Sequence, residues 1–234
     1  MDSCFLVQQD DCSPPGALLT WAQAAGVNVE LRRPYRCDPL PPIRDVEGLV
    51  VLGGAVGPYD DARHPWLVDL KRLLTRAVAH EVPVLGIAAG GHVLATALGG
   101  TVTLPAAAVH TGLVSLCPTP EAPPDPLLQA LEEDTAWVSW SPLLPTELPA
   151  GAVVLAEDCP GFPQVVRYGP RAWGFQGHPE VDPDIVGRWV SRGGPPPGSY
   201  LVGDPLAELR RREDVLNAWE PVFEAFFSLQ ARAA

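Results

Sequence analysis

Pro83-Val84-Leu85-Gly86-Ile87-Ala88-Ala89-Gly90-Gly91-His92-Val93-Leu94-Ala95 is the stretch on which the fold turns. Val82 to Ile87 is an apolar run of strand length, and it passes without a loop through Ala88-Ala89-Gly90-Gly91 into a helical pattern over His92 to Leu98. Strand, tight small-residue turn and helix in immediate succession have the shape of a nucleophile elbow. Glycines two places either side of the central residue, Gly86 and Gly90, let the chain reverse sharply and clear space around the central side chain. Amides at the head of the following helix, Ala89 foremost, then face any anion formed there. The central residue is Ala88, and a methyl group cannot attack a carbonyl.

Outward from the elbow, short apolar runs bounded by turn residues alternate with helix-period stretches, as in a parallel sheet covered by helices. Cys4 to Gln8, Val27 to Leu31 and Gly48 to Leu52 read as strands, the last stopped by Gly53-Gly54. Pro15 to Ala25, closed by Gly26, and Trp66 to His80 read as helices, the second with Leu67, Leu70, Leu74 and Val78 on one face. Beyond the elbow, shorter β-like pieces suggest an antiparallel extension: Val102 to Leu104, Gly112 to Cys117, Trp137 to Trp140, Ala152 to Ala156, Gln164 to Tyr168 and Ala172 to Phe175. Val181 to Ser191 reads as a closing helix. The expected fold is α/β, a three-layer α/β/α arrangement around a mostly parallel sheet with a small antiparallel extension. The expected organisation is a domain over 1–192, a Gly/Pro linker over 193–199, and a helical extension over 200–234 packed on the domain. Within that extension one helix is expected from Pro205 to Arg232, bearing Leu206, Leu209, Leu216, Trp219, Phe223 and Phe226.

Composition narrows the function classes. The 234 residues are 47% hydrophobic and 19% charged, which excludes a disordered chain. No apolar run approaches the roughly 18 to 20 residues of a membrane span. Met1 to Asp11 carry no positive n-region or cleavage site, so a cytoplasmic location is expected. Asp and Glu number 28 against 16 Lys and Arg, a formal charge of −12 with Lys71 the sole lysine. Such a chain has little with which to neutralise phosphates, which argues against nucleic acid and leaves a small molecule or another protein as partner. Prolines number 28, more than twice the usual share of about 5%, and stiffen the loops. The five cysteines, Cys4, Cys12, Cys37, Cys117 and Cys159, form no C-x-x-C pair and read as free thiols, with no metal site or cofactor implied.

The elbow resembles that of the class I glutamine amidotransferases, where G-x-C-x-G follows an apolar strand. Trp173-Gly174-Phe175-Gln176-Gly177-His178-Pro179-Glu180 is similar to that family's G-x-Q-F-H-P-E, and Gly53-Gly54 to its G-G-P loop. The three motifs stand in the family's order across residues 3–191. The resemblance implies a flavodoxin-like fold, His178 as base, Glu180 as the carboxylate that orients it, and a backbone contribution from Gly53 and Gly54 to an oxyanion hole. It also exposes departures. Ala88 stands in the cysteine's place, His92 where glutamine is usual, and Gly177 where a bulky aromatic normally precedes the histidine. Gly112 survives as the glycine of the antiparallel part, but Leu113-Val114 follow it in place of the context that helps bind glutamine. Trp140-Ser141-Pro142-Leu143 matches a W-H-G-D phrase of close relatives with polar groups exchanged for apolar ones. Natural loss of the nucleophile followed by drift accounts for these changes better than an engineered Cys→Ala substitution.

Neither Cys117, in a Cys-Pro pair, nor Cys159, in a Pro-Gly loop, sits on an elbow, so neither is expected to replace the missing thiol. His92 lies one turn past the elbow, and its plainer reading is that it fills the space of the family's glutamine. His64 and His80 read as surface residues and His110 as a loop residue. The expectation is therefore a glutamine amidotransferase-like protein without glutaminase activity, monomeric or homodimeric, binding a glutamine-like small molecule or another protein. The alternative is a hydrolase acting on a small amide or ester through His178, Glu180 and His92, with or without a metal.

Overall fold

The structure, a computed structural model, describes residues 3–107, 109–131, 135–212 and 214–230. The first half alternates strand and helix: β1 (Ser3–Val7), α1 (Leu18–Ala24), β2 (Asn28–Arg32), β3 (Gly48–Val51), α2 (Trp66–Ala79), β4 (Val84–Ile87) and α3 (Ala89–Ala97). A strand-rich part follows with β5 (Thr101–Thr103), β6 (Val109–Ser115), β7 (Cys117–Pro118), β8 (Ala136–Ser139), β9 (Leu144–Glu147), β10 (Val153–Glu157), β11 (Pro163–Gly169) and β12 (Ala172–Phe175). Closing the order are α4 (Pro183–Gly193), β13 (Ser199–Val202), α5 (Pro205–Arg211), α6 (Asp214–Asn217) and α7 (Glu220–Ser228).

The main sheet has the order β2-β1-β3-β4-β12-β11-β10-β7. Its first five strands are parallel, and β11, β10 and β7 continue it antiparallel. Residue alternation along the strands divides the core between two faces. Cys4 and Leu6, Val50, Leu85 and Ile87 point to the layer holding α1 and α7. Phe5 and Val7, Leu49, Val51 and Val84 point to the layer holding α2 and α3. Both faces are covered, so the central strands carry continuous apolar sequence, and the fold is the expected α/β class. No described helix is long and apolar enough to cross a membrane.

Four details differ from the sequence expectation. The segment Ala172 to Phe175 is not part of the antiparallel extension: β12 lies parallel beside β4, which sets the His178 segment next to the elbow. Of the other pieces, β6 and β8 form a separate sheet with β13, and β5 pairs with the unanticipated β9. Helix α3 begins at Ala89 rather than His92, so Gly90 and Gly91 lie inside it. A Cβ on Gly90 would meet the Val51 carbonyl oxygen at 2.0 Å, so the glycine serves close packing of helix on sheet. Finally, the single helix expected from Pro205 to Arg232 is α5, α6 and α7. Pro221 lies in the first turn of α7, where its missing N–H costs nothing; inside a continuous helix it would break the ladder. The expected linker residues Gly193 to Pro197 line a cavity, Ser199 to Val202 pair with β6, and α7 packs in the core. Residues 231–234, including the end of the expected helix, and Met1 and Asp2 lie outside the described residues.

Candidate active site

The elbow is built as its sequence dictates. Strand β4 is wholly buried and delivers Ala88 at φ 48°, ψ −114°, a backbone conformation uncommon for a residue with a Cβ. The Ala88 N–H donates to the Phe175 carbonyl at 2.7 Å, extending the β4–β12 pairing into the turn, and its own carbonyl accepts from His92 at 3.0 Å to start α3.

His178 stands on the segment after β12. Its backbone N–H donates to the Val138 carbonyl at 2.8 Å, and its Nδ1 lies 2.8 Å from Glu180 Oε1. Both side chains are buried, His178 at 5% exposure and Glu180 at none. With Nδ1–H donating to the carboxylate, Nε2 is the free side of the ring. The Glu180 backbone oxygen accepts from Ala17 at 2.9 Å, which ties the pair to α1. Gly53 lies against the imidazole so closely that a Cβ there would stand 2.5 Å from His178 Cε1.

Ala88 opens onto a cavity of about 560 Å³. Of the residues singled out from sequence, Ala88, Ala89, His92, His178 and Gly54 line it. Gly53 and Glu180 stand behind His178. Gly112 is not in the lining; it belongs to β6, at φ +117° between Ser139 of β8 and Val202 of β13. Trp140-Ser141-Pro142-Leu143 form part of the wall, so the exchange of polar for apolar residues falls on the cavity itself.

His92 is buried, with Nε2 2.9 Å from Gln176 Oε1. Burial is the main cause of its pKa falling to about 4; the Gln176 hydrogen bond opposes the shift and the nearby His178 reinforces it. The neutral imidazole is thus the native form at neutral pH. Because the ordinary value is 6.5, the unfolded chain binds more protons than the folded one between about pH 6.5 and 4. This contribution is complete above pH 6.5 and is lost as pH falls towards 4. His92→Gln should therefore lose about 2 kcal/mol less unfolding free energy than the wild type between pH 7 and 4.5. Urea unfolding of both proteins at the two pH values checks this, and parallel losses would refute it.

Several cavity residues carry no sequence signal. Cys12 is half-buried in the lining, and Arg192, from the last turn of α4, places Nη1 2.6 Å from its Sγ across 180 residues of chain. Trp189 donates Nε1–H to the Cys12 carbonyl at 2.8 Å, and its ring centroid is 4.7 Å from that of His178. Asp10 anchors the glycine loop: Oδ1 accepts from the Cys12 and Ser13 amides at 2.7 and 3.1 Å, and Oδ2 accepts from the Ala55 amide at 2.5 Å. Among the described residues no three of His, Cys, Asp and Glu gather as a metal site.

Comparison with known proteins gives the same picture from outside. The chain is 31% identical over 177 residues to the glutamine amidotransferase-like protein YfeJ of Salmonella typhimurium, covering 73% of this chain and 72% of the relative. A crystal structure of a glutamine amido transferase from Methylobacillus flagellatus superposes with a TM-score of 0.83 at 27% identity, over 100% of this chain and 95% of that one. A glutamine amidotransferase from Thermotoga maritima shares the fold with a TM-score of 0.81 at 20% identity, covering 96% and 97% of the two chains. The family model described as glutamine amidotransferase class-I matches residues 17–189, the span that holds the elbow, the glycine loop and the His178–Glu180 pair. By sequence match and by shared fold, the chain belongs to the class I glutamine amidotransferase family.

Proposed function

We propose that this chain is a class I glutamine amidotransferase-like protein that has lost glutaminase activity and works by binding. The observation that carries the reading is Ala88 itself, a methyl group at the centre of a preserved elbow, opening onto a cavity that also holds the buried His178–Glu180 pair. Base and orienter are paired with nothing to deprotonate. The thiol that lines the cavity, Cys12, lies in the loop between β1 and α1 rather than on the elbow, and contacts Arg192. Drift around the elbow supports natural loss: His92 pairs with Gln176, and Pro142 and Leu143 line the wall.

Ammonia release from glutamine by the purified protein should equal that of buffer, and turnover well above background would sink the reading. Ala88→Cys should add a cavity thiol that is alkylated by iodoacetamide, as shown by mass spectrometry, while ammonia release stays at background. The apolar wall and His92 have removed the polar partners that a glutamine side chain needs on desolvation. Glutaminase activity in Ala88→Cys would mean that the glutamine site has survived intact.

A further inference from the structure

We infer that the cavity beside Ala88 binds a small monocarboxylate with a flat apolar body, held at the mouth by Arg192. The inference rests on the reading that the chain no longer hydrolyses glutamine, and it names what the site takes in glutamine's place. The cavity, about 560 Å³, lies in the size range of small-molecule sites, which are mostly apolar with a few placed polar groups. Trp140 and Trp189, packed on each other with ring centroids 5.8 Å apart, give the lining an aromatic surface that suits a flat body, and Leu143 and Val56 add aliphatic surface.

Two polar groups set the ligand's charge and direction. Arg192 lines the cavity, its guanidinium donates to the Cys12 sulfur, and among the described residues no carboxylate pairs with it. In a chain of formal charge −12, a guanidinium left without a carboxylate partner at a cavity mouth is a free anion site, and its planar fork suits a carboxylate. One cation among so many acidic groups favours a single negative charge over the two of a phosphate. At the other pole His178, 5% exposed, keeps Nδ1 on Glu180 and has no hydrogen-bond partner for Nε2 among the described residues. Arg192 is the guanidinium of the lining, so the charged end sits there and the apolar body runs inward towards Ala88. Glutamine fits poorly, because its terminal amide would be desolvated against Pro142 and Leu143.

Isothermal titration of the full chain with phenylacetate, phenylacetamide and glutamine tests this. Phenylacetate should bind with a Kd below about 1 mM, and phenylacetamide and glutamine more weakly. Arg192→Gln, a change at an exposed side chain, should weaken phenylacetate about fivefold and leave phenylacetamide unchanged, while Arg192→Lys keeps part of the affinity. Equal binding of acid and amide, equal or tighter binding of glutamine, or an Arg192→Gln variant with undiminished affinity for phenylacetate would overturn the inference. So would the absence of phenylacetate binding; with ammonia release still at background, that result removes the ligand assignment and leaves the loss of glutaminase activity standing.

Discussion

A chain that stops at Gly203 should not fold. It loses Trp219, Val222, Phe223, Phe226 and Phe227, each at most 1% exposed in the full-length protein. They belong to the core of the sheet face that carries α1, not to a detachable surface helix. Phe223 stacks on Trp21 at 4.7 Å, and Trp219 packs 5.2 Å from Trp137 and 5.5 Å from Phe175 of the central strand β12. Aromatic side chains bury about 150–250 Å² each, so four of them contribute roughly 15–25 kcal/mol as an upper bound. The net stability of a domain is only about 5–15 kcal/mol. The truncated chain is thus expected to show no cooperative urea transition and no near-ultraviolet dichroism. A soluble truncated monomer with the full-length urea midpoint would refute the argument. Trp219→Ala in the whole chain provides a graded version. It opens a cavity and strips the Ala136 carbonyl of the indole N–H that donates to it at 2.8 Å, and should cost about 3–5 kcal/mol. The same packing means that deleting this region cannot report on oligomeric state, because it removes part of the core along with any interface.

The elbow was legible because everything that makes it is local: an apolar strand, glycines at fixed offsets and a helix, all within thirteen residues. The region after residue 193 was less so. Its Gly/Pro run reads as a linker by composition, yet those residues wall the cavity, and the β-prone Tyr200-Leu201-Val202 that follows them joins β6. Pro221 was a visible signal that one long helix could not run through to Arg232. Other features had no local signal. Cys12 meets Arg192 across 180 residues and His92 meets Gln176 across 84, and no periodicity in either segment encodes the encounter. The motifs supplied the positions of His178, Glu180 and the glycine loop. What surrounds them, an apolar wall with one cation, arises only when the closing helix folds over the elbow.

Gly177→Ala should be among the most damaging single-methyl additions in the protein, and the reason lies in Trp137. A Cβ on Gly177 would stand 2.3–2.5 Å from three atoms of that indole. Trp137 is fully buried, clamped between Trp219 at 5.2 Å and Phe175 at 5.6 Å, so it has no direction in which to yield. Gly177 is not at a left-handed φ, so the expected cost is steric overpacking rather than backbone strain. Overpacking of a rigid core costs about 1–3 kcal/mol, and this site belongs at or above the top of that range. The family resemblance places a bulky aromatic before the histidine; in this chain the Trp137 indole occupies the space such a side chain would need. Gly177→Phe should accordingly fail to give soluble folded protein. Damage also reaches the site, because Gly177 precedes His178, whose N–H is held by the carbonyl of Val138, the residue after Trp137. The decisive comparison is a double-mutant cycle in urea. Alone, Gly177→Ala should cost about 3 kcal/mol, whereas in a Trp137→Leu background, where the indole is gone, the same methyl should cost less than about 1 kcal/mol. Equal costs in both backgrounds would show that the glycine is required for some reason other than the tryptophan beside it.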